Sequence, residues 1–144
     1  MSFAVGIARR VQVGGTLPPG WRETATAGGP AGALTIEGPV WVGDRRPRLV
    51  VTIESGASVS GAVAAEARVE VACRDRWPHP VWGSGVVHEG VRIDGDVALA
   101  HDVYLFHDGL GGIRVELECE LTSLFEVEED VALILDSLTG GGTR

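Results

Sequence analysis

The chain has 144 residues, 44% of them apolar, and a formal net charge of −8 from 20 acidic and 12 basic residues. That length supports one ordinary domain with a single core. The acidic balance argues against binding nucleic acid or anionic membrane through a general field, and two widely separated cysteines, Cys73 and Cys119, argue against a structural zinc site.

Residues 3–13 predict a first strand, stopped by Gly14-Gly15. Leu17-Pro18-Pro19-Gly20-Trp21 predicts a turn carrying a bulky anchor, and 24–32 a loop. Residues 33–42 predict a second strand that carries Trp41 and is broken at Gly38-Pro39; Trp21 and Trp41 are expected to plug the core or the sheet edge. Arg45-Arg46-Pro47-Arg48 reads as a solvated turn. Residues 49–54 are rich in β-branched side chains and predict a central strand. Residues 58–74 fit two periods: Val59, Ala62, Val63, Ala67 and Val71 a helix, Ala67, Val69, Val71 and Cys73 a strand. Trp77-Pro78-His79-Pro80 predicts a loop, because proline donates no hydrogen bond and restricts the residue before it.

The second half is clearer. Residues 86–93 and 96–106 flank Asp94-Gly95, the signal of a tight hairpin. Ile113, Val115, Leu117, Cys119 and Leu121 alternate with Arg114, Glu116, Glu118 and Glu120, predicting a strand with one buried face. The period then changes. Phe125, Val127, Val131, Ile134, Leu135 and Leu138 recur at helical spacing, with acidic residues opposite them. Ser123 and Glu126 suggest a capping box and Gly140 a left-handed stop. Residues 140–144 are expected to form a disordered tail on a single domain spanning 1–139. The fold class is therefore α+β: an antiparallel sheet flanked by two helices. The alternative is an all-β barrel with a C-terminal helix.

The order of these pieces resembles the PsbP-like fold. The match rests on Leu17-Pro18-Pro19-Gly20-Trp21, Leu49-Val50-Val51-Thr52-Ile53, Ile93-Asp94-Gly95 and the strand and helix of 113–138. That fold is shared by a photosystem II extrinsic subunit, a Ran-binding nuclear-import factor, mycobacterial LpqN-type lipoproteins, DcrB-type proteins and effector-associated chaperones of type VI secretion. The resemblance covers roughly 17–139 and implies that 58–74 is helical. LpqN-type members carry an export signal and a lipid-attachment cysteine. Arg9-Arg10 interrupt the first apolar run here, so a cytoplasmic protein without membrane insertion is the expectation.

Chemistry is sparse. His101 and His107 share one strand face while Asp102, Tyr104 and Phe106 take the other. The two histidines lie about 20 Å apart at roughly 3.3 Å per residue, too far to grip one metal ion. Gly83-Ser84-Gly85 lacks nucleophile-elbow spacing, and the glycines of 109–112 open onto a strand where a phosphate cradle needs a helix. No catalytic, metal or cofactor motif is found. The families resembled work mostly by binding, which implies a non-enzymatic module, adaptor or chaperone-like, that docks a protein partner on its sheet face. Trp77, His79 and Trp82 are the candidate partner contacts, because tryptophan is enriched in binding hot spots. Self-association through the same sheet would give a homodimer. The alternatives are a small-ligand binder or enzyme whose cavity is lined by Trp41, Tyr104, Phe106, His101 and His107, and a structural component of a secretion or phage-like assembly.

Overall fold

The computed structural model describes residues 11–24, 33–41, 43–54, 70–107 and 111–140. The strands are β1 (Val11–Val13), β2 (Arg22–Thr24), β3 (Leu34–Glu37), β4 (Arg48–Glu54), β5 (Glu70–His79), β6 (Gly83–Asp94), β7 (Val97–His107), β8 (Gly112–Glu120) and β9 (Leu138–Gly140). One helix, α1 (Leu124–Ser137), follows a 3-10 turn at Leu121–Ser123. Seven strands form an open antiparallel sheet in the order β2-β3-β4-β8-β7-β6-β5, and β1 pairs with β9 in a small second sheet.

The sheet has two edges, β2 and β5, so the barrel alternative is overturned. Among the described residues one helix covers it, where two were expected. Of the ambiguous stretch, 58–69 lies outside the described residues, and 70–74 is strand. The expected loop at Trp77-Pro78-His79 is also strand. Pro78 is tolerated because β5 is an edge strand, where one backbone side needs no ladder hydrogen bond. Residues 49–54 lie in an interior strand, as expected: β4 pairs with β3 on one side and β8 on the other.

The hairpin forms one residue later than its signal. Asp94 pairs with Val97, and Gly95-Asp96 make the turn, with Gly95 at φ +63°. A glycine at the first turn position with positive φ matches the twist of the flanking strands.

β8 buries Ile113, Val115, Leu117 and Cys119 against Val127, Val131, Ile134 and Leu135 of α1. Cys119 is a free thiol there, and burial pushes it up to about 12. Helical periodicity overshoots at Phe125, which is 86% exposed. The capping box is not formed: Ser123 already has helical dihedrals from the 3-10 turn, and its side chain makes no cap hydrogen bond. The helix ends at Leu138, in extended conformation, and Gly140 belongs to β9 opposite Val11. Residues 141–144 lie outside the described residues.

Candidate functional site

The expected partner contacts fall inside the domain. His79 and Trp82 are buried, and the His79 ring stacks on Trp82 at 4.2 Å and lies 5.1 Å from Phe106. Trp77 stands edge-on to Tyr104 at 5.2 Å. The β5–β6 turn folds this group back onto the C-terminal end of α1. His79 Nε2 donates to the Leu135 carbonyl at 2.6 Å, and Trp82 Nε1 to the Gly140 carbonyl at 3.1 Å. His79 Nδ1 accepts the backbone N–H groups of Val81 and Trp82, so the ring is neutral and its tautomer set. His79 and Trp82 are buried and close the core, while Trp77 is partly buried against it.

The alternative ligand set is not brought together. Tyr104 and Phe106 face α1, whereas His101 faces the opposite side of the sheet. His107 is exposed at the end of β7, and Trp41 stands 44% exposed beyond β3 instead of plugging the core. Trp21 does plug it, and its Nε1 donates to Asp130 Oδ2 at 2.9 Å. Asp102, buried on the α1 side, is pushed up to about 6 by burial and by Glu89 opposite it.

The alternation of β8 predicts a strand with one buried face; the second face is that of His101, Val103 and Leu105. It is largely buried: Val103 and Leu105 pack with Val86, and Arg114 is only 7% exposed. His101 sits between the carboxylates of Glu116 and Glu118, at 3.5 and 3.6 Å. Both hold the imidazolium, raising it to about 9, while Arg114 closes on Glu116 at 2.7 Å. Glu118 also accepts from Arg92, and its carboxyl is held down at about 2 by His101 first and Arg92 second. The ion pairs of this group tie β6, β7 and β8 together across the sheet.

Toward the β6–β7 turn this network runs into a cleft of about 230 Å³ lined by Glu37, Arg45, Arg46, Arg48, Leu99, Glu118 and Cys119. The arginines come from the turn expected to be solvated, and all three are exposed. Glu120 holds that turn in place by accepting the backbone N–H groups of Asp44 and Arg45 at 2.9 and 3.1 Å. Arg45 reaches across to Asp94 at 3.0 Å. The β3–β4 loop, the β6–β7 turn and the β8–α1 junction are thus joined at one end of the domain. Five of the seven large apolar side chains exposed among the described residues sit at this end: Val40, Trp41, Ile93, Leu121 and Phe125. Periodicity could not find this site. Its parts come from three connections, and its signal is apolar residues where loops and helix fronts are ordinarily polar.

No family model matches the chain, and no curated protein matches it. Solved structures do. The crystal structure of LpqN, involved in cell envelope biogenesis of Mycobacterium tuberculosis, superposes with a TM-score of 0.61 at 9% identity, over 94% of this chain and 85% of LpqN. A structure from Bacteroides thetaiotaomicron matches with a TM-score of 0.53 at 9% identity, over 86% of this chain; the chain spans only 43% of that protein. The LpqN-type fold expected from the sequence is therefore present. At such identity the likeness concerns the fold alone.

Proposed function

We propose that this domain is a non-enzymatic protein-binding module that docks its partner at the end of the sheet built from the β3–β4 loop, the β6–β7 turn and the β8–α1 junction. One observation carries the reading: Val40, Trp41, Ile93, Leu121 and Phe125 are each exposed and all lie in or next to the connections at this end of the sheet, where the Arg45–Asp94 pair joins the β3–β4 loop to the β6–β7 turn. Exposed apolar groups that converge on one region mark an interaction site, and Trp and Arg dominate binding hot spots. The surface replaces the sheet face expected earlier, because that face is occupied by α1 on one side and buried at Val103 and Leu105 on the other. LpqN's role in envelope biogenesis agrees with an adaptor or chaperone-like task for this chain, the fold being what the two share.

The test is affinity capture from the native host with tagged wild-type protein and a Trp41→Ala/Phe125→Ala variant, each checked by circular dichroism. One stoichiometric partner held by the wild type and lost by the folded variant supports the module. Equal capture by both overturns this surface.

A second form of the same reading is a homodimer. The same end of the domain carries Arg45, Arg46 and Arg48 and, on the first turns of α1, Glu126, Glu128 and Glu129. A two-fold contact requires such a self-complementary patch. Sedimentation velocity of wild type and variant distinguishes it.

A further inference from the structure

The cleft beside the apolar patch has a charge balance that specifies what enters it. Arg45 is neutralised by Asp94 at 3.0 Å. Glu118 is neutralised from the far side by Arg92 and His101. That leaves Arg46, Arg48 and Glu37 facing the space. Among the described residues Arg46 donates one long hydrogen bond, to the Gly38 carbonyl at 3.4 Å, and Arg48 approaches only Glu118, at 3.9 Å. Two guanidinium groups with open donors against one carboxylate leave a surplus of a single positive charge, in a chain whose net charge is −8. Guanidinium forks match a carboxylate in two parallel hydrogen bonds. Leu99 adds apolar wall.

We propose that this cleft binds one carboxylate group of the docked partner, its C-terminal carboxylate being the best match. The proposal rests on the docking reading above and names the chemistry of its occupant. A monoanion balances the cleft; a phosphate dianion would overload it against Glu37. A chain terminus also carries an amide N–H beside its carboxylate, and Glu37, which lines the same cleft, supplies an acceptor for it. The volume of about 230 Å³ accommodates a terminal residue.

The test titrates the full chain, followed by two-dimensional NMR, with N-acetyl-leucine, its carboxamide, propionate and inorganic phosphate. N-acetyl-leucine should give saturable shifts at the amides of Arg46, Arg48 and Leu99, and its carboxamide none. Arg46→Ala/Arg48→Ala should lose about tenfold or more in affinity, as expected when charge-assisted hydrogen bonds are removed. Propionate binding as well as N-acetyl-leucine would assign the site to an acidic side chain, still a carboxylate. Absence of saturable shifts, equal binding of the carboxamide, or tighter binding of phosphate overturns the proposal. The Trp41→Ala/Phe125→Ala variant should keep the cleft's response. A failed cleft with intact partner capture removes only this inference, and a responsive cleft with no partner removes only the docking module.

Discussion

The imidazole of His79 joins the end of β5 to the end of α1: its Nε2 donates to the carbonyl of Leu135 at 2.6 Å while its Nδ1 accepts two backbone N–H groups of its own turn. Both ring nitrogens are committed in the neutral form. A proton on Nδ1 would face two donors and remove their acceptor. Burial lowers the pKa of this histidine from its ordinary 6.5, against the raising effects of the Leu135 carbonyl and of Asp136.

Acid should therefore destabilise the domain through His79. Between the lowered folded value and 6.5 the unfolded chain binds a proton that the folded chain refuses, so stability falls as pH drops below 6.5. Urea unfolding from pH 8 to pH 5 should show this loss in the wild type. His79→Phe should be less stable at pH 8 by about 1–3 kcal/mol, the cost of leaving buried backbone donors unmet, and the gap should narrow in acid. A constant gap would show that the ring does not titrate against folding.

His101 acts at the other end of the pH scale. Its folded value of about 9 means that its contribution is complete below 6.5 and is lost as pH rises through 9. His101→Gln should flatten the fall in stability between pH 7 and pH 9.5. An unchanged alkaline slope would detach the histidine from Glu116 and Glu118.

Gly43 has φ +81°, and a Cβ there would stand 2.0 Å from the Glu120 carboxylate that holds the arginine turn. Gly43→Ala should cost about 1–3 kcal/mol, the usual cost of a strained backbone position. It should also speed hydrogen exchange at Asp44 and Arg45. Glu120→Ala should produce the same faster exchange with a smaller stability loss. Protected amides in both variants would show that the turn stands without this carboxylate.

Two residues ten apart on α1 should behave oppositely. Phe125→Ser should change stability by no more than about 0.5 kcal/mol, since the ring is 86% exposed. Leu135→Ala should cost about 2–5 kcal/mol, because Leu135 is fully buried and leaves a cavity. Thermal unfolding of the two variants checks the pair. A large loss at Phe125 would place that ring in the core and remove it from the docking surface.

The sequence alone determined the strand and helix of the last third, the hairpin before them and the fold they resemble. In each, neighbours in the chain carry the pattern: Ile113 to Cys119 alternate at the period of a pleat, and Val127 to Leu135 recur at the period of a helix. Tertiary structure decided the rest. Pro78 is a strand residue only because β5 reaches the sheet edge, and His79 and Trp82 are core residues only because their turn folds onto the end of α1. Arg114, Glu116 and Glu118 join His101 in an ionic network on a face where His101 and Arg114 are buried, which alternation along one strand cannot reveal. The candidate site joins Trp41, Arg46, Ile93 and Phe125, and only the order of strands in the sheet sets those connections side by side. Local periodicity reports which way a side chain points, whereas burial and partnership depend on what the distant chain places in front of it.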